Sequence, residues 1–278
     1  MSPSRIDQLD ALPTLPRAVH EIFHIVNDKD APLSAVAAAL GRDPGTVARV
    51  IGAANAAFFV RHQTVYSVDD AAVRLGLNRV RVLATSTLLA SRFRADACLA
   101  FDQSRYWRRA MSVAMCASKL ANYVPLETPS GSAYLAGLLH HIGLLCIAHT
   151  FPSEADAVLS AREARTGDTP ALREYLREAL GMDHHVAGGH VMRRWDVPEA
   201  VSAVAEHYGD PAYNGEFARL QGLIRLCIAW FRGGYGDELP DSPLLRTLTQ
   251  SKLANIGASC RREDEQLRAY AAQLATAA

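Results

Sequence analysis

Tyr134-Leu-Ala-Gly-Leu-Leu-His140-His141-Ile-Gly-Leu-Leu-Cys-Ile-Ala-His149 decides how this chain is read, because two adjacent histidines interrupt a run that is otherwise apolar or small. A helix apolar on every face belongs in a large core or in a membrane. The run is near the lower limit for crossing a bilayer, and its histidines fall near the middle, where polar groups are costly. The sequence therefore predicts a buried helix of a soluble protein, with no membrane partner. Imidazoles in such a place need hydrogen bonds or a metal, since burying a polar group without a partner costs about 1–3 kcal/mol.

Composition sets the frame around that helix. The chain has 278 residues, 49% of them hydrophobic, enough for one large core or two modest ones. Lys+Arg and Asp+Glu are equal at 29 each, so no global field draws it to nucleic acid or anionic lipid. The five cysteines, Cys98, Cys116, Cys146, Cys227 and Cys260, are scattered and contain no Cys-x-x-Cys pair. That excludes a disulfide scaffold and a zinc ribbon, and fits a reducing compartment. Residues Met1 to Asp10 lack the apolar segment of a signal peptide, so the expectation is a cytoplasmic protein.

Taken in order, the apolar spacing predicts helices throughout. One ends near Asn27, one runs from Leu33 to Leu40 and stops at Gly41, and one is capped by Asp43 with Pro44 at its first position. A helix with Ala71, Ala72 and Leu75 stops at Gly76, another covers Leu77 to Ser91, and a long one spans Phe101 to Tyr123. Beyond the histidine run, a polar helical region extends from Pro152 to Arg165, Gly167 to Pro170 breaks it, and a helix resumes from Ala171 to Leu180. Asp183 caps a helix opening with His184-His185, whose His184, Gly188, Val191 and Trp195 share one face, with Gly188 and Gly189 permitting close packing. Asp196 and Glu199 form a capping-box pair around Pro198, and a further helix covers about 217–231. Gly233-Gly-Tyr-Gly236 with Pro240 marks a hinge, followed by two terminal helices, about 242–254 and 261–274. No alternating strand pattern occurs, so the fold class is all-α.

Two interaction readings compete along this path. Ala37, Gly41 and Val47 have helix-turn-helix spacing over residues 33–50, but a recognition helix must offer polar side chains to base edges. This one continues Val-Ile-Gly-Ala-Ala-Asn after Arg49, which makes DNA an unlikely partner. Arg74, Arg79, Arg81, Arg92, Arg94, Arg105, Arg108 and Arg109 could instead present a basic face to a phosphate-bearing ligand, although solvated helix faces are the simpler explanation of them.

His140, His141, His184 and His207 are the candidate metal ligands, for a single transition-metal ion at most. Asp183 and Glu206 are the acids that could join them. Adjacent helical positions lie about 100° apart, so His140 and His141 need not face one site. No P-loop and no Gly-x-Ser-x-Gly elbow occurs, and Cys146 reads as a packed core thiol.

Leu12-Pro-Thr-Leu-Pro16, Arg42-Asp-Pro44, Ala54-Asn55-Ala-Ala-Phe-Phe59, Ala72-Val-Arg-Leu-Gly76, Ala136-Gly-Leu-Leu-His140-His-Ile-Gly143, Gly181-Met-Asp-His184, Trp195-Asp-Val-Pro198 and Glu206-His207 together resemble the bacterial HDOD domain. The resemblance implies an HD-like helical bundle with an N-terminal helical subdomain over residues 12–213, and C-terminal helices over 214–278 packed on the same core. It also implies a non-enzymatic signal-transduction module that acts by contacting signalling or regulatory proteins and needs no cofactor. The related HD and HD-GYP phosphohydrolases hold metals with a His-Asp pattern that is broken here. Arg109 stands near the expected first histidine, His140-His141 replaces the His-Asp pair, Ala229-Trp230 replaces a late Ala-Asp, and the Gly-Tyr-Pro element is missing. His140, His184 and His207 remain at positions resembling ligand positions, so the alternative is a divergent metal-dependent phosphohydrolase or phosphodiesterase.

Overall fold

Every regular element among the described residues of the computed structural model is helical; those residues are 7, 9–11, 15, 17–28, 30–55, 64–128, 131–161, 170–236 and 242–276. A 3-10 turn, Leu9–Ala11, precedes an N-terminal lobe of α1 (Arg17–Asn27), α2 (Leu33–Leu40), α3 (Pro44–Asn55) and α4 (Val68–Leu75). Helix α5 (Leu77–Ala90) joins that lobe to α6 (Gln103–Leu120), α7 (Gly131–Leu139), α8 (Ile142–Thr150) and α9 (Pro152–Ser160). Then come α10 (Pro170–Leu180), α11 (His184–Arg194), α12 (Glu199–His207), α13 (Ala218–Arg232) and α14 (Gln250–Thr276). Sequence expectations that fall on residues 12–14, 16, 56–59, 162–169 and 240 lie outside the described residues.

One contiguous apolar core runs from Leu9 to Leu274. Helix α6 is its axis: Asp102 caps it by accepting from the Arg105 N–H at 2.8 Å, and α5, α7, α13 and α14 all pack on it. Helix α5 is buried without interruption from Val80 to Ala90, so most of its polar groups are answered internally. Arg81 donates to the Asp28 carbonyl at 2.7 Å, Ser86 to the Val82 carbonyl at 2.6 Å, and the Thr87 and Tyr270 hydroxyls meet at 2.6 Å. These bonds tie α5 to the N-terminal lobe on one side and to α14 on the other.

The central run departs from the single helix expected of it. Helix α7 stops at Leu139, His140 and His141 form a turn, and α8 starts at Ile142. Two glycines explain the change of direction. A Cβ on Gly137 would lie 2.8 Å from the Ala114 Cα of α6, whereas one on Gly143 would run into the His184 carbonyl oxygen and come within 2.5 Å of the Gly188 nitrogen of α11. The two halves of the run are thus pressed against different helices, and the chain must bend between them. Gly131–Thr150 is apolar enough to be a candidate membrane span, yet 89% of its most apolar window is buried inside the fold.

Three further expectations are corrected. The two terminal helices are one, Gln250–Thr276, preceded by a 3-10 turn at Pro243–Leu245; the helix passes through Gly257 because a Cβ there would meet the Trp230 ring at 2.8 Å. The Gly233–Gly236 hinge is a locked turn: Tyr235 is 1% exposed, its hydroxyl donates to the Ser112 carbonyl at 3.1 Å, and Trp230 donates to the Gly236 carbonyl at 2.9 Å. The Asp196–Glu199 capping box does not form. Asp196 adopts φ 53, in the left-handed region, as it closes the C-terminal turn of α11, and α12 begins without a side-chain cap.

Replacing Gly143 with alanine is expected to lower the unfolding free energy by at least about 3 kcal/mol, because the clash is with backbone that cannot rotate away. Gly52, with open space around its Cα, is the contrast: Gly52→Ala is expected to be neutral or stabilising by up to about 1 kcal/mol. Urea unfolding of the two variants beside the wild type measures both.

Candidate functional site

Close contact of α8 with α11 brings the His140-His141 turn against the first turn of α11. Asp183 fixes that turn, its Oδ1 accepting from the backbone N–H groups of His185 at 2.9 Å and Val186 at 3.1 Å. His184 and His185 are thereby held at the buried start of the helix, each 1% exposed, beside His140 at 1% and His141 at 5%. Tyr208, just beyond the end of α12, completes a cluster of five rings. Its ring stacks on His185 with centroids 4.3 Å apart and planes 12° apart, while His141 and His184 meet edge to face at 4.8 Å. Tyr106 of α6 stacks on His141 at 6.3 Å.

Hydrogen-bond chemistry assigns protons to this cluster. The Nδ1 of His140 lies 2.7 Å from the Gly137 carbonyl oxygen, and that of His185 lies 3.2 Å from the Glu206 carbonyl oxygen. A carbonyl only accepts, so both rings carry a proton on Nδ1. The Tyr208 hydroxyl bonds both the Nδ1 of His141 and, at 3.0 Å, the Nε2 of His184. One hydroxyl proton serves only one of these nitrogens, so the other ring must donate its own N–H to the Tyr208 oxygen. Tyr208 is the bridge between the two helices.

Of the four histidines singled out in the sequence, the structure gathers His140, His141 and His184, and places His207 elsewhere. His207 stacks on Tyr213 at 4.5 Å, lining an open groove of about 840 Å³ that also holds His24, Arg193, Asp196 and Glu206. His185 and Tyr208 belong to the cluster and were missed. The signal for His185 was present, since an N-cap at Asp183 puts both following residues in one buried first turn.

The acids do not reach the cluster as ligands. Besides capping α11, Asp183 accepts from Arg173 at 3.2 Å and Arg177 at 2.5 Å through Oδ2, and it is fully buried. Burial raises its pKa, but the Val186 N–H, the neighbouring histidines and Arg173 outweigh that and hold its carboxyl below 3.8. Glu206 pairs with Arg193 at 2.7 Å. Among the described residues no three His, Cys, Asp or Glu side chains stand together so as to hold a metal ion. A pair of ions does not fit this set, because two-metal sites need bridging or carboxylate oxygens, and the inward nitrogens of His141 and His184 both face a phenol. Cys146 is fully buried, and burial pushes its thiol well above the usual range, so it is no nucleophile.

The arginines are turned to separate partners. Arg79 pairs with Glu263 at 2.5 Å, Arg108 with Asp264 at 2.9 Å and Arg94 with Asp96 at 2.6 Å. Arg81 and Arg74 donate to backbone carbonyls of the N-terminal lobe.

A family model described as HDOD domain matches residues 12–211. Among solved structures, a candidate phosphohydrolase from Shewanella amazonensis SB2B is similar at 25% identity and TM-score 0.73, with 97% of this chain and 98% of that one covered. A candidate signal transduction protein from Marinobacter aquaeolei VT8 is similar at 26% identity and TM-score 0.74, covering 99% of this chain and 62% of that one. An uncharacterized protein of Treponema pallidum (strain Nichols) is 24% identical over 221 residues, 79% of this chain. The chain spans only 42% of that relative's length.

Tyr208→Phe keeps the ring packing and removes the hydroxyl, leaving imidazole nitrogens of His141 and His184 without it. The expected loss is about 1–3 kcal/mol of stability in chemical denaturation. Asp183 contributes stability that is present above its unfolded value and disappears as pH falls through 3.8 and below. Asp183→Asn is therefore expected to be less stable at neutral pH and to show a shallower loss below about pH 4 than the wild type, read from acid unfolding curves.

Proposed function

Because the chain belongs to the HDOD family, we propose that it is a non-enzymatic signal-transduction module of the bacterial cytoplasm that works by contacting other regulatory proteins. The observation that carries this reading is the Tyr208 hydroxyl seated between His141 and His184, bonded to one ring nitrogen of each. A substrate must reach a reacting centre, and the five members of this cluster are each 5% exposed or less. The neighbouring Asp183 and Glu206 carboxylates are engaged by arginines, which speaks against their generating a hydroxide nucleophile. The likeness to the Marinobacter signal transduction protein supports the same reading.

The second reading is a divergent metal-dependent phosphohydrolase, favoured by the comparable likeness to the Shewanella candidate phosphohydrolase. The two part in a simple assay. Purified protein supplied with manganese, iron or nickel is expected to release no product above background from phosphomonoesters, linear phosphodiesters or cyclic dinucleotides. Turnover that depends on the added ion and is lost in His140→Ala would establish the hydrolase instead.

A further inference from the structure

Helix α1 carries a motif on the side it does not bury. Val19, Ile22, Phe23 and Val26 are in the core, which fixes the rotation of the helix and leaves His20 and His24 half-buried on another face. The segment reads His20-Glu21-Ile22-Phe23-His24, the His-Glu-x-x-His spacing that sets two imidazoles one turn apart on one helix face. Their Nε2 atoms approach to 3.1 Å, with ring centroids 4.2 Å apart. Two imidazole nitrogens bound side by side to one first-row divalent ion, each at about 2.0–2.1 Å, lie about 3.0–3.4 Å from one another. The pair already stands at that separation.

The surroundings suit a cation. His20 and His24 line a cavity of about 500 Å³ together with Glu21, Ile25, Arg42 and Asp196. Asp196 comes from the turn between α11 and α12, across from α1, and shares with His24 the larger groove as well. Among the described residues its carboxylate is the acid in this cavity not tied to an arginine by an ion pair, since Glu21 bonds Arg17 at 3.3 Å and Arg42 at 3.2 Å. Those arginines also hold the Glu21 carboxylate in ion pairs, so the motif does not here provide the general base of a metalloprotease.

We propose that His20 and His24 form the anchor of a binding site for one first-row divalent cation, zinc being the probe of choice, with Asp196 and water completing its coordination. Because no third ligand stands in place beforehand, Asp196 must close onto the ion. Binding then links the N-terminal lobe to the turn between α11 and α12, at the opposite end of α11 from the histidine cluster. The site lies outside that cluster and does not depend on the signalling function.

Calorimetric titration of the tag-free full chain with zinc chloride tests it. The expected result is one zinc per chain in the wild type and in His207→Ala, with affinity at least about tenfold weaker in His20→Ala and in His24→Ala, and measurably weaker in Asp196→Asn. Copper(II) should bind the same pair more tightly than zinc, and its electron paramagnetic resonance spectrum should show nitrogen ligation that His24→Ala reduces. Absence of zinc binding to the wild type, or binding that His20→Ala and His24→Ala leave unchanged while circular dichroism shows them folded, overturns the proposal.

Discussion

The structure depends on a backbone-to-backbone contact between α8 and α11, where Gly143 lies against the His184 carbonyl and Gly188. No side chain fits between these helices, so their separation is set by main-chain atoms alone. That contact draws the first turn of α11 onto the turn that ends α7. Four imidazoles are buried together as a consequence, and the chain must satisfy them without water.

Its solution is local and complementary. His140 and His185 each give an Nδ1 proton to a carbonyl, which fixes their tautomers, and Tyr208 serves one nitrogen each of His141 and His184 from a single hydroxyl. Asp183 supports the arrangement from behind by capping α11 and by pairing with Arg173 and Arg177. The buried Asp183 thus orients the helix that carries the histidines.

Much of this was legible from local signals. Caps and breakers placed most helix ends: Gly41, Gly76, Asp183 and Gly181 all act where their chemistry says they should. Where sequence reasoning failed, tertiary contacts had overridden local pattern. The apolar run 134–149 has no proline at its middle, and it bends because Gly137 and Gly143 are claimed by different neighbours. The two helices expected after residue 242 are one, which runs through Gly257, where the Trp230 ring packs. The site was half visible: His140, His141 and His184 stand out as buried imidazoles, but nothing in a linear pattern distinguishes Tyr208, which acts, from His207 beside it, which faces the groove.

The most direct measurement of the central claim is a long-range proton–nitrogen NMR spectrum of the histidine side chains, recorded on isotopically labelled protein before and after addition of zinc. A closed, hydrogen-bonded cluster predicts Nδ1 protons on His140 and His185, and ring nitrogens of His141 and His184 that do not shift when the ion is added. Stoichiometric movement of the His141 and His184 nitrogens would show that the cluster opens to a metal, and would contradict the account.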